Sequence, residues 1–175
     1  MFIERLQREL AICSAIQIGP FLAREPDRWH VVSIHDPIQA EADLAKAKSA
    51  LQLSFEDALP TPGDDTPGPK PAHLQSFLAF AGSTAHEPLV LQCWAGRSRS
   101  TAMALVLIVK ELHAQGLTGS ELVTTSVDIL LSLRPNANPN RFVLRLGLDQ
   151  FLPPEIAQKL STALIREPRL KANFL

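Results

Sequence analysis

The sequence predicts an α/β protein in which a sheet is followed by a layer of helices. Three observations carry this reading. Short apolar runs alternate with helical stretches through the first half of the chain. From Ser100 onward, helical patterns follow one another with no strand between them. The apolar run Pro88-Leu89-Val90-Leu91 passes through a loop containing Gly96 into a second apolar run, Thr101 to Val109, which reads as strand, tight loop, helix.

Taken in order, Ala11 to Ile18 reads as a strand, and Trp29 to Ile34 as another, closed by the turn signal Asp36-Pro37. Gln39 to Leu51, rich in Ala, Lys and Glu, predicts a helix. Leu51 to Phe55 alternates apolar with polar and predicts a half-buried strand. Pro60 to Pro71 holds five prolines and two glycines and predicts a loop. Ala72 to Ala81 predicts an amphipathic helix with Leu74, Phe77, Leu78 and Ala81 on one face.

After the strand Leu89 to Gln92, the segment Ser100 to Gln115 is apolar nearly all round, which predicts a buried central helix ended by Gly116. Thr118 and Glu121 fit a capping box for a helix running to about Leu133, where Arg134-Pro135 stops it. Asn138-Pro139 supplies an N-cap and first-turn proline for a helix from Asn140 to about Gln150. Pro153-Pro154 opens a helical extension to about Ile165, with loose residues after it. A chain of 175 residues suits one domain, here a core over residues 12–151 and a C-terminal extension over 152–175.

Composition narrows the classes. A net charge of −1 gives no reason to expect nucleic acid as a partner, so any affinity for anions has to come from local placement. The longest apolar run, Ala102 to Val109, is too short to span a bilayer. Met1 to Leu10 carries charges and lacks the apolar segment of a leader, so the expectation is a cytoplasmic protein with free thiols. The two cysteines are Cys13 and Cys93. Core packing is the first reading of Cys13, and a protective disulfide with Cys93 under oxidation is the alternative. The five histidines show no metal-ligand spacing, and neither a metal nor a cofactor is expected.

The chemistry concentrates in Gln92-Cys93-Trp94-Ala95-Gly96-Arg97-Ser98-Arg99-Ser100. A cysteine at a strand end, a glycine in the loop and an arginine at a helix mouth make an anion site with a nucleophile in it. Backbone N–H groups from Trp94 to Arg99 can turn toward a phosphate, and the helix dipole favours negative charge there. The same field favours Cys93 as thiolate, its reactive form. Arg99 adds a planar fork suited to two phosphate oxygens.

This spacing of Cys93, Gly96, Arg99 and Ser100 resembles the signature loop of the cysteine-dependent protein tyrosine phosphatases, in particular the small dual-specificity-type branch in its compact bacterial form. The resemblance implies a short, mostly parallel central sheet flanked by helices in three layers. It also implies hydrolysis of phosphotyrosine, and of phosphoserine or phosphothreonine, through a phosphocysteine intermediate without a cofactor. Partners would be phosphorylated proteins or small phosphomonoesters. Ser100 matches the family's hydroxyl that stabilises the departing thiolate; capping of the helix N-terminus is its other reading.

Such chemistry needs a carboxylic acid to protonate the leaving oxygen. Asp57, following the strand that ends at Phe55, sits where the family carries its general acid, and the same group would later act as base toward water. Asp64, Asp65 and Glu56 are rivals, and Asp36 is a weaker one. The segment Arg134-Pro135 to Phe142 resembles the family's tail pattern, in which the residue matching Asn140 supports the phosphate loop.

Two departures stand out. The family's histidine before the cysteine is replaced by Gln92, which hydrogen-bonds but carries no charge. This predicts weaker support for the thiolate, and it motivates the alternative of a phosphate-binding pseudophosphatase. Arg97 adds a cation to the loop, as in relatives acting on inositol lipids, which makes a phosphoinositide phosphatase the second alternative. An outward surface charge is the other reading of Arg97.

Overall fold

The computed structural model describes residues 1–59 and 67–174. Among them five strands form one sheet in the order β1-β2-β5-β3-β4. The strands are β1 (Phe2–Ile3), β2 (Arg8–Ser14), β3 (His30–His35), β4 (Ser49–Ser54) and β5 (Leu89–Cys93). Only β1 runs antiparallel to its neighbour; β2, β5, β3 and β4 are all parallel. The expected short, mostly parallel sheet flanked by helices is therefore present. Its parallel strands end together, so the loops after Ser14, His35, Ser54 and Cys93 share one rim, which is where open α/β sheets place ligands.

The two-residue period of the strands divides the core. Leu89, Leu91 and Cys93 of β5, with Val32 and Ile34 of β3, face the larger core beneath the C-terminal helices. Val90, Val31 and Cys13 face the other side, where α1 (Ala15–Arg24) contributes Ile18 and Leu22. The larger face is covered by α2 (Pro71–Ser83), α3 (Arg99–Ala114), α4 (Gly119–Leu133), α5 (Arg141–Leu148) and α6 (Pro154–Arg166). Helix α3 is buried on all sides from Arg99 to Val109, as its sequence predicts. Helix α5 crosses it closely at Gly147, where an added Cβ would stand 2.4 Å from a Val106 methyl.

Several expectations need correction. The first strand ends at Ser14 rather than Ile18, and Ala15–Arg24 is helix. Ile16 and Ile18 alternate like strand residues, but Gln17 Oε1 accepts from the Ser14 N–H at 3.0 Å and turns the chain, and Ile18 and Leu22 then share a helical face.

The helix expected over Gln39 to Leu51 does not form. Asp27 N–H donates to Lys46 O at 3.0 Å and Lys48 N–H to Trp29 O at 2.9 Å, which ties this stretch beside β3 and starts β4 at Ser49. Tertiary pairing overrides the helical propensity of its alanines.

Helix α4 begins after Thr118, whose side chain makes no capping bond, so the expected capping box is absent. The cap of α5 is Asn140, not Asn138. The C-terminal residues expected to be loose form α7 (Pro168–Lys171) and a 3-10 turn at Ala172–Phe174. Most of the expected proline-rich loop, including Asp64 and Asp65, lies outside the described residues.

Candidate active site

Cys93 ends β5 and Arg99 starts α3, so the chain between them must reverse within five residues. Gly96 makes this possible. Its φ is +62°, and an added Cβ would meet the backbone of Cys13 and Ser14 at 2.7 Å. The loop therefore lies directly against the end of β2.

The loop's carbonyls are taken up from behind. Trp94 O accepts from Ala15 N–H at 3.1 Å, Arg97 O from Asn138 N–H at 2.8 Å, and Ser98 O from Ala102 N–H at 2.9 Å. Ala95 O accepts from Arg134 Nη2 at 3.1 Å. Thr101 Oγ1 donates to Ser98 O at 2.9 Å. With the carbonyls so committed, the N–H groups of Trp94, Ala95, Arg97 and Ser98 have no backbone acceptor among the described residues. They form a row of donors at the N-terminus of a long helix, a cradle for an anion.

Cys93 is 2% exposed, and its Sγ lies 3.1 Å from Ser100 Oγ. Arg99 is 3% exposed and held by three contacts. Its Nη1 donates to Asp36 Oδ1 at 2.8 Å and to Phe55 O at 2.6 Å, and its Nη2 to Asp36 Oδ2 at 3.5 Å. Its Nε is buried and has no partner among the described residues. A buried donor on a charged group without an acceptor is costly, and an anion held by the loop would satisfy it.

Asp57 stands at the same loop. Its Oδ1 accepts from Ser98 Oγ at 2.8 Å and from Asn140 Nδ2 at 2.7 Å. Asn140 thus links three pieces. Its amide also donates to Ala58 O at 3.2 Å, while its Oδ1 caps α5 by accepting from Phe142 and Val143 N–H at 3.0 and 2.9 Å. Of the carboxylates weighed against Asp57, Asp36 is committed to Arg99, and Asp64 and Asp65 lie outside the described residues.

The two departures resolve into structural contacts. Gln92 faces away from the Cys93 side of the sheet and accepts from Ser33 Oγ of β3 at 2.6 Å. Arg97 turns outward: Nε donates to Asn136 O and Nη2 to Asn173 O, both at 3.0 Å. Asn173 in turn donates to Pro135 O and Ala137 O at 2.9 Å each, so the C-terminal turn clasps the outside of the loop.

Cys13 and Cys93 are both free and buried. Cys13 pairs in register with Gln92 and Ser14 with Cys93, so the two thiols point to opposite faces of the sheet, and the alternative of a disulfide between them is not available. Burial pushes the Cys13 thiol up to about 11, against a smaller opposing effect of Arg134. Among the described residues no three His, Cys, Asp or Glu side chains group as a metal site. No helix among the described residues is long and apolar enough to cross a membrane.

Sequence reading missed Asp36 as the partner of Arg99 and Asn173 as the partner of Arg97. Asp36 follows a strand end on the shared rim, a signal that the sequence does carry. Asn173 sits 76 residues from Arg97 and leaves no local trace.

No protein-family model matches the chain, and no curated protein sequence does. Solved structures do. Human DUSP28 matches at a TM-score of 0.55 and 22% identity, over 94% of this chain and 93% of its own. PTPMT1 in complex with PI(5)P matches at 0.52 and 16%, over 88% and 93%. The active form of Tk-PTP matches at 0.50 and 14%, over 90% of each chain. At these identities the likeness establishes the fold: the chain has the α/β fold of the small cysteine-dependent, dual-specificity-type phosphatases.

Proposed function

We propose that the protein is a phosphatase that hydrolyses phosphomonoesters, phosphotyrosine foremost, through a phosphocysteine intermediate. The observation that carries this reading is the buried Nε of Arg99, without a partner among the described residues, at the end of a loop whose Trp94, Ala95, Arg97 and Ser98 carbonyls are taken up from behind.

The reaction follows from the groups present. The Cys93 thiolate attacks phosphorus, an S–P bond forms and the ester P–O bond breaks. Loop N–H groups and Arg99 stabilise the charge on the transferring phosphoryl group. Asp57 gives its proton to the departing oxygen, releasing the alcohol. Water then attacks phosphorus and gives a proton to Asp57, the S–P bond breaks, and inorganic phosphate leaves. Ser100 Oγ, 3.1 Å from Sγ, donates to the regenerated thiolate.

The test is release of phosphate by the purified protein and by Cys93→Ser, using an aryl phosphate, phosphopeptides and phosphoinositides in the presence of chelator. Cys93-dependent release is expected. No such release from any of them rejects the enzyme and leaves a phosphate-binding protein. The phosphoinositide reading rested on Arg97, and that side chain is occupied by Asn136 and Asn173, so phosphopeptide is expected to exceed lipid.

A further inference from the structure

Beside Asp57 the surface opens into a cavity of ≈ 510 Å³. Its lining includes the polar Asp57 and Ser98, the apolar Leu59 and Pro139, and the Arg141 and Phe174 side chains. The Arg141 guanidinium lies 4.9 Å from the centre of the Phe174 ring. Arg141 is exposed and is the first residue of α5, directly after Asn140, the residue that holds Asp57. Leu59, Pro139, Arg141 and Phe174 have no part in binding the phosphate or in cleaving it.

We infer that this cavity is a subsite for a second anionic group on the substrate, and that the group is an acidic residue beside the phosphorylated residue of a peptide. The inference rests on the phosphatase reading above and specifies its substrate.

Direction comes first. If Asp57 protonates the leaving oxygen, the leaving group lies on the Asp57 side of the loop, and the cavity that Asp57 lines is the space into which it continues. Apolar walls at Leu59 and Pro139 suit the body of that group. In the same lining the Arg141 guanidinium sits over the Phe174 ring, which covers one face and leaves its in-plane edge of N–H donors for an acceptor. That edge matches a carboxylate or phosphate through two hydrogen bonds.

Charge on the other side of the loop favours a peptide over a lipid surface. A second cavity, beside Trp94, is lined by Glu41 and Asp43. Carboxylates there repel a uniformly anionic bilayer but leave a single acidic residue on the Arg141 side undisturbed. Trp94 itself is 60% exposed, so this side is open to solvent.

The experiment compares kcat/KM on phosphotyrosyl peptides with Asp, Ala or Lys next to the phosphotyrosine, on either side, together with an aryl phosphate and vesicles containing polyphosphoinositide. The full chain is used as wild type, Arg141→Gln and Arg141→Glu. The wild type should favour the Asp peptide over the Ala peptide by about tenfold, mainly in KM, the scale of a charge-assisted bidentate contact. In Arg141→Gln that ratio should fall to about one, and Arg141→Glu should favour the Lys peptide instead.

If the wild type cleaves aryl phosphate in a Cys93-dependent way but treats Asp and Ala peptides alike, the subsite is overturned and the phosphatase reading stands. An Asp preference that survives both substitutions overturns it as well. Greater activity on the vesicles than on every peptide, lost with Arg141→Gln, overturns the peptide as occupant. Absence of turnover on every substrate rejects both readings.

Discussion

Arg99 and Asp36 form a two-pronged ion pair across the end of the sheet, with Nη1 2.8 Å from Oδ1 and Nη2 3.5 Å from Oδ2. Asp36 comes from the loop after β3 and Arg99 from the start of α3, so the pair joins the sheet rim to the loop that follows Cys93. Its effect is to fix the guanidinium before any ligand arrives. An arginine carries about 2 kcal/mol of rotamer entropy. Here that is lost on folding, and the Nε edge keeps no partner among the described residues, so on the proposed phosphatase reading it is the edge that meets the phosphate.

Removing one member should therefore damage both stability and chemistry. Asp36→Ala leaves a buried guanidinium with Phe55 O as its remaining acceptor. Denaturant unfolding should show a loss of about 3 kcal/mol, the low end for breaking a buried pair because Asp36 keeps some contact with water. Turnover should fall by at least about tenfold, and tungstate or phosphate should raise Tm less than in the wild type. An unchanged Tm and rate would show that Phe55 O alone holds Arg99.

Asn140 separates support from catalysis. Asn140→Ala removes the α5 cap, worth about 1 kcal/mol, and the amide bonded to Asp57. Asn140→Asp keeps the cap but sets a second carboxylate against Asp57, where two negative charges are disfavoured and a proton is held between them. A general acid must be protonated to act, so the alkaline limb of the pH–rate profile should move to higher pH in Asn140→Asp. Asp57→Asn should abolish that limb. A profile that ignores both changes would take the acid role away from Asp57.

The extent of what could be read in advance follows the range of the interactions. The strand–loop–helix around Cys93 and the buried α3 are local patterns, and both were legible. The position of Asp57 beside that loop was legible too, because parallel strands collect their ends on one rim. Helix α1 was not: its isoleucines alternate as a strand does, and one hydrogen bond from Ser14 to Gln17 decides the matter. The stretch expected as helix over Gln39 to Leu51 differs for the opposite reason, since its helical composition is overruled by bonds to Asp27 and Trp29 and by the start of β4 at Ser49. Arg97 was open between two readings until Asn173 closed on it. Contacts across many tens of residues carry no period and no spacing.

The two thiols should differ in reactivity. Cys13 is buried, and its thiol is pushed up to about 11, so at pH about 8 roughly one molecule in a thousand carries the thiolate there. Iodoacetamide should add one label, at Cys93, and Cys93→Ser should take up almost none. Peroxide should yield no Cys13–Cys93 linked peptide, since the two side chains lie on opposite faces of the sheet. Rapid labelling of Cys13 in Cys93→Ser would contradict this placement.

His73 gives a defined pH effect. It stacks on Phe55 with ring centres 4.9 Å apart, and its Nδ1 accepts from the Lys70 N–H at 3.1 Å. Burial, and then the charge of Lys70, hold its pKa below the usual 6.5. The unfolded chain therefore binds this proton more readily than the folded one. Stability is full above about 6.5 and is lost as pH falls below that value toward the folded pKa. Urea melts at pH about 7.5 and about 5 should differ less in His73→Phe than in the wild type. An equal pH dependence in both would assign the acid loss to other groups.

The C-terminal turn makes a prediction that separates coupling from mere contact. Arg97 donates outward to Asn136 O and Asn173 O, while its own carbonyl accepts from Asn138 N–H inside the same clasp. Asn173 closes the arrangement through Pro135 O and Ala137 O. The turn therefore holds the stretch 135–138 that takes up the Arg97 carbonyl from outside the loop. Ending the chain after Ala172 should cost about 2 kcal/mol, near 1 kcal/mol for each of the Asn173 side-chain bonds. Arg97→Ala should cost less in the shortened chain than in the full one, because one of its partners is already gone. A coupling of about 1 kcal/mol in the double-mutant cycle is expected. Additive costs would mean that Arg97 and the C-terminal turn stabilise the loop independently, and that the clasp is only a crossing of two segments.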